Sequence, residues 1–278
     1  MRRLRRYAIP FVAWMAVFIV VPTLILLFLS FSDYSLYDGG PFAFTFARFE
    51  IFAAPLVLTA IGNSVALAGA TTAACFLIGY PVALYLSHLP EKTGKILMSL
   101  LIVPLWSNML LRIVAWEKVF TPDSFFTDLT GLSIDLLGSK TAILVGMVAM
   151  YLPFMVFPIY SVLEKLDRGL VEAARDLGAD DAQVFLRVIF PLSAGGVLSG
   201  VIMTLLPALT SFVLPARLGL GRVPLIGNVI ESKLMKEVLG SSGRSINEGA
   251  LVSLSLMVLS IVLYILATRF DREGETLL

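Results

Sequence analysis

The chain has 278 residues, 58% hydrophobic and 15% charged, with a mean hydropathy of +0.90, whereas soluble domains carry about 25% charged residues. Its 21 Lys and Arg against 20 Asp and Glu leave a net charge of +1, which removes the electrostatic case for a nucleic-acid partner. One cysteine, Cys75, and one histidine, His88, exclude an intrachain disulfide, a cysteine metal cluster and an enzymatic constellation built on two histidines.

Six stretches contain no Asp, Glu, Lys or Arg: 7–32, 51–87, 96–111, 141–163, 188–216 and 249–268, of 26, 37, 16, 23, 29 and 20 residues. A helix needs about 20 mostly apolar residues to cross the hydrocarbon core. Five stretches reach that length, and 96–111 reaches it with Arg112 at the head groups. Transmembrane β-strands alternate apolar and polar residues over about 10 positions, and these runs do not. The composition therefore predicts an all-α, polytopic membrane protein with about six transmembrane helices and no metal site. Each helix satisfies its own backbone hydrogen bonds in lipid.

The first stretch follows Arg2, Arg3, Arg5 and Arg6. Its length exceeds a signal-peptide core, so it is expected to be a retained helix. Phe42, Phe44, Phe46, Phe49 and Phe52 follow, suited to a head-group belt or an outer docking surface. In the second stretch Pro55 is placed to open the helix and Pro81 sits near its far end. Its 37 residues call for a tilted or kinked helix plus an interfacial segment. His88, beside Pro90, reads as an interfacial residue. The third stretch sets Asn108, Arg112 and Trp116 on one helical face, with Trp106 on another side. Asn108 and Trp106 suit either a solute path or the membrane interface. Tyr151, Pro153 and Pro158 mark a kinked fourth span that could also face a path.

The segment 164–187 is the most structured of the connections. Asp167 can cap a helix through Glu172, Ala173, Ala174 and Arg175, and Gly178 can end it. Asp180 with Gln183 three residues later has capping-box spacing. The alanines leave a slim face for another protein. A rigid helix-turn-helix leading into Pro191 and the fifth span could transmit a push, or could be an ordinary interfacial helix. In the fifth span Gly196, Gly200, Thr204 and Ala208 recur every four residues, a stripe for close helix packing. Pro207 disturbs the backbone there, and Thr204, Thr210 and Ser211 could line a pore.

Orientation follows from charge. With residue 1 inside, the segments 1–6, 88–95, 164–187 and 269–278 are inner and hold 12 of the 21 Lys and Arg in 48 residues. The outer segments hold nine in 79. Basic residues stay inside, so both termini are expected to be cytoplasmic.

Glu172-Ala173-Ala174, Gly178 and the run from Val188 to Pro191 resemble the EAA loop of bacterial ABC importer permeases, with Val188 and Phe190 as mild departures from its Ile and Leu. The segments 101–108, 152–156, 163–167 and 225–230 are similar to the spermidine/putrescine permease branch, and the likeness covers roughly residues 5–270. Around 244–249 the branch's Asp-Trp-Pro-x-Gly is absent.

The resemblance implies a type I ABC importer transmembrane domain over 1–278, with its core at about 55–270 and a cytoplasmic coupling loop at 164–190. It implies Glu172, Ala173, Ala174, Gly178 and Pro191 as the contact with an ATPase subunit. Trp106, Asn108, Tyr151, Thr204, Thr210 and Ser211 are the substrate-path candidates. It further implies a second permease subunit in a heterodimer, two copies of a cytoplasmic ATP-binding subunit and an extracytoplasmic substrate-binding protein. No cofactor is expected in this chain, which lacks G-x-x-x-x-G-K-[ST]; ATP and Mg would belong to the partner. The favoured cargo is a polyamine. Another small solute on the same machinery, or a non-transport membrane protein, are the alternatives.

Overall fold

The computed structural model describes residues 2–33, 43–122, 127, 131, 135–238 and 244–276. Phe42 of the aromatic segment lies outside them, and so do the side chains of the basic residues in 1–6 and 269–278. The helices are α1 (Arg2–Ser30), α2 (Pro55–His88), α3 (Glu91–Ile102), α4 (Met109–Val119), α5 (Lys140–Leu163), α6 (Arg168–Asp176), α7 (Asp181–Val184), α8 (Phe190–Leu192), α9 (Ala194–Thr210), α10 (Val213–Leu218), α11 (Ile226–Val238) and α12 (Arg244–Thr276). Short 3-10 helices cover Ala47–Ala53 and Val103–Trp106, and one π-helical turn covers Phe185–Ile189.

Four helices, within α1, α2, α5 and α12, are long and apolar enough to cross a membrane unbroken. Two further candidate crossings are bent pairs, which gives six if each pair is one span, the number the sequence leads one to expect. The third is broken between Trp106 and Met109, where α3 and α4 meet at 92°. Pro104 has no N–H to continue the ladder. Ser107 then turns extended, and the Asn108 side chain accepts from Leu110 N at 2.8 Å to start α4. The fifth apolar stretch is broken twice. The segment Asp181–Leu192 meets α9 at 63°, and α9 ends at Thr210 rather than running on to Ala216. Pro191 cannot donate to the Arg187 carbonyl, and a π-helical turn sits just before it.

The core is made by α2, α5 and α9, which pack pairwise against one another. Ile143, Met147, Met155, Val156 and Ile159 of α5 are fully enclosed. Pro153 and Pro158 are buried in a helix that nevertheless runs unbroken from Lys140 to Leu163. Glycines set the closest approaches. A Cβ on Gly196 would meet the Pro158 carbonyl oxygen at 2.9 Å and Ile159 Cα at 3.1 Å. One on Gly200 would meet Met155 Sδ at 2.8 Å. The Gly196, Gly200, Thr204, Ala208 stripe is accordingly buried throughout.

By contrast, α1 packs on α12 and exposes most of its apolar side chains. Phe31, Phe46, Phe49 and Phe52 form a chain of ring contacts with centroids 5.8–6.3 Å apart. Arg48 holds Asp33 at 2.6 Å alongside. Long-range polar contacts fix the same end of the bundle: Asn63 Nδ2 donates to the Pro224 carbonyl, Ile226 N to Ser64 Oγ and Asn247 Nδ2 to the Ser32 carbonyl.

Candidate functional site

The segment between α5 and α9 is stabilised from within. Asp167 accepts from Gly169 N at 2.9 Å and opens α6. At the other end Gly178 has φ of +86°, a conformation that costs a residue with a Cβ about 1–2 kcal/mol. Gly178 N donates to the Arg175 carbonyl and Ala179 N to the Ala174 carbonyl, the paired bonds of a Schellman cap. Asp180 and Gln183 complete a reciprocal capping box on α7. Every terminus here has a local partner, so the segment keeps its shape without leaning on the bundle for its caps.

Its faces are unlike. Val171 and Ala174 pack against the core, while Glu172, Ala173 and Gly178 are exposed. Leu177 is 89% exposed at the tip. An apolar side chain so fully presented on a capped, rigid turn is suited to a pocket on another protein. Sequence reasoning passed over Leu177. Its position just before the helix-ending glycine was the signal that could have found it, because that residue packs inward only if the next element covers it. Beneath α6 lies a cavity of about 210 Å³ lined by His88, Glu164, Arg168, Glu172 and Arg175.

From α7 the chain passes through the π-helical turn to Pro191, which is half-buried, and bends at Ser193. The bend is anchored to α2. The Tyr80 hydroxyl lies 2.8 Å from Ser193 Oγ, which itself donates to the Phe190 carbonyl. The Tyr80 ring meets Phe185 edge-on at 5.6 Å and Phe190 at 5.8 Å. Tyr80 is a second residue the sequence did not single out, since nothing local links positions 80 and 193. Tyr80→Phe should remove this buried bond at a cost of about 1 kcal/mol. The thermal unfolding midpoint in detergent should fall by about 2–4 °C; an unchanged midpoint would show that the anchor contributes nothing.

The remaining candidates fall in three places. Trp106 is 88% exposed at the end of the 3-10 turn, and Asn108 is exposed with its side chain engaged as the α4 cap. Arg112 and Trp116 are half-buried on α4, with the Trp116 ring 5.4 Å from Phe120. Tyr151 is buried, donates to the Pro207 carbonyl at 3.4 Å and has the Ser211 hydroxyl beside it. Thr204 is fully enclosed in the α9 stripe, and its hydroxyl has no hydrogen-bond partner among the described residues. Thr210 is exposed and Ser211 buried where α9 stops. Tyr151, Thr210 and Ser211 thus converge on the broken end of α9, and Trp106 and Asn108 stand apart from them.

A bundle of unbroken and bent membrane crossings, with a capped connecting element joined through an anchored bend to a broken helix, defines a membrane permease. Residues 76–273 match the family described as "Binding-protein-dependent transport system inner membrane component", and the chain belongs to it. The permease protein of the spermidine/putrescine transport system of Haemophilus influenzae is 36% identical over 88% of this chain and 88% of its own length. The corresponding Escherichia coli protein is 34% identical over 81% of this chain and 84% of its own length. The solved structure of a bacterial alginate ABC transporter, in complex with its pentasaccharide-bound periplasmic protein, superposes with a TM-score of 0.77 at 15% identity. That match covers 97% of this chain and 94% of that one. The chain is therefore a multi-pass inner-membrane permease subunit of an ABC importer, working with ATPase and substrate-binding components.

Proposed function

We propose that this chain is one of two different permease subunits in an importer that carries polyamines such as spermidine and putrescine into the cytoplasm. The names of the relatives support the cargo. The observation that carries the mechanism is the doubly capped segment 167–184 with Leu177 presented at its tip. In this reading the segment faces the cytoplasm, as do both termini, in line with the denser basic residues on that side. Glu172, Ala173, Leu177 and Gly178 sit in a groove of an ATP-binding subunit, while Ala174 packs inward on the core. Two copies of that subunit bind ATP and Mg and do the hydrolysis; this chain holds no cofactor. Their closure pushes on α6, and the bend at Pro191 and Ser193 passes the displacement to α9.

A substrate-binding protein delivers cargo at the opposite end. The path follows Tyr151, Thr210 and Ser211, with Trp106 and Asn108 turned toward the second permease, while Thr204, enclosed in the packed stripe of α9, is no longer a path residue. The six apolar stretches hold no carboxylate, so the second permease supplies the acidic contacts, and Trp106 offers an aromatic face to passing ammonium groups. The test is co-purification of the complex and its reconstitution in proteoliposomes with the loaded binding protein. Radiolabelled spermidine should accumulate only with ATP. Accumulation of a neutral or acidic solute instead would defeat the cargo; absence of any ATP-binding chain in the complex would defeat the mechanism.

A further inference from the structure

The first half of the third crossing touches the root of the α6 segment. Gly94 and Met98 share one face of α3 and are buried, while Ile96, Leu97 and Leu100 are exposed. Gly94 makes the closest approach. A Cβ there would come within 2.8 Å of the Leu86 carbonyl oxygen, in the last turn of α2, and 3.0 Å of the Tyr160 hydroxyl, in the last turn of α5. Beside it the Lys95 ammonium pairs with Glu91 at 2.6 Å, one turn earlier in its own helix, and with Glu164 at 3.5 Å.

Glu164 is the residue that ends α5, and the backbone does not loosen there. Glu164 N donates to the Tyr160 carbonyl, Lys165 N to the Val162 carbonyl and Leu166 N to the Leu163 carbonyl. The next residue, Asp167, is the cap of α6. A short hydrogen-bonded turn thus joins Glu164 to α6, and a displacement of α6 reaches Glu164 directly. Two contacts then lead to α3, and they act in opposite senses. Close-packed atoms resist compression, so the Gly94 contact passes a push. Attraction between ammonium and carboxylate opposes separation, so the Lys95 pair passes a pull. Beyond the end of α9 the two bent crossings meet again, where Arg217 Nε of α10 lies 3.3 Å from Glu117 Oε2 of α4.

We propose that Lys95 is a positioning residue for transport, holding the first half of the third crossing to the α6 segment. One stroke of the ATPase then shifts both broken crossings: α9 through Pro191 and Ser193, and α3 through Gly94 and Lys95. Trp106 and Asn108 stand at the break in the third crossing, so the same stroke turns them. This second arm rests on the coupling role of α6 proposed above. The Lys95 side chain is 57% exposed, and exposed pairs add little to stability, so its loss shows in coupling and not in folding.

The experiment measures spermidine imported per ATP hydrolysed by the complete complex in proteoliposomes, with saturating spermidine-loaded binding protein. Lys95→Cys combined with Glu164→Cys should lower that ratio by about two- to fivefold, with the thermal midpoint unchanged. Closing a short bis-maleimide across the two cysteines should restore it, because a covalent tie replaces the pair; single-cysteine variants given the same reagent are the controls. Should the double variant fail to assemble, Lys95→Met is expected to show the same loss. A wild-type ratio in the unlinked double variant, or in Lys95→Met where that stands in for it, would overturn the inference. So would a ratio that stays low or falls further on linking, which would mean that α3 and α5 must separate during the cycle. Leu177→Asp in the same assay reports on α6 independently. A loss there with none at Lys95 removes the second arm alone, whereas normal transport by Leu177→Asp removes the coupling role of α6 and the second arm with it.

Discussion

Replacing Leu177 by aspartate is expected to lower ATP-driven uptake at least about tenfold without destabilising the permease. The side chain is 89% exposed, so the chain loses almost no internal packing when it changes. In the proposed complex it is buried in an ATPase groove, where enclosing a leucine is worth about 1.5–3 kcal/mol. Forcing an unpaired carboxylate into the same place adds a desolvation penalty. Each 1.4 kcal/mol is tenfold in association. Glu172 and Ala173 share the exposed side of α6, but neither offers comparable apolar area. The measurement is uptake by reconstituted complex alongside co-purification of the ATP-binding chain. Leu177→Asp complexes that assemble and transport normally would show that the tip does not carry the coupling.

Gly196→Val should be strongly damaging inside the bundle. Its Cβ would stand 2.9 Å from the Pro158 carbonyl oxygen and 3.1 Å from Ile159 Cα. These are backbone atoms of a helix that also packs against α2, so no rotamer change relieves the clash. Overpacking of this kind costs about 1–3 kcal/mol, and here the upper end is expected. Gly69→Ala is the control: nothing lies within 4 Å of its Cβ position, and alanine gains up to about 1 kcal/mol of helix propensity. Thermal unfolding in detergent should separate the two, with a lower midpoint for Gly196→Val and an equal or higher one for Gly69→Ala. A Gly196→Val midpoint at the wild-type value would mean that α9 and α5 are free to move apart.

The capped segment was legible residue by residue because its determinants are local. Asp167, Gly178, Asp180 and Gln183 act on backbone groups within five positions of themselves, and each does so as its type and spacing require. The glycine stripe was legible for a similar reason, since a four-residue repeat of small side chains has one main use in an apolar helix. The third and fifth crossings were not. Pro104 and Pro191 can be accommodated in a continuous membrane helix, and nothing in their neighbourhood says that bends of 92° and 63° follow. Asn108 looked like a residue in mid-helix and is a cap, because the helix starts there.

From the sequence alone came the number of crossings, the helical class, the caps of the α6 segment and the family resemblance, all of which depend on composition or on residues close together in the chain. The tertiary structure decided where the helices break, that Tyr80 anchors Ser193 across 113 positions, and that Leu177 stands uncovered. It also brought Gly94 and Lys95 of α3 against Tyr160 and Glu164. Those facts depend on which surfaces meet, and an apolar helix carries the same hydrophobicity whether it faces lipid, a neighbour or an open space.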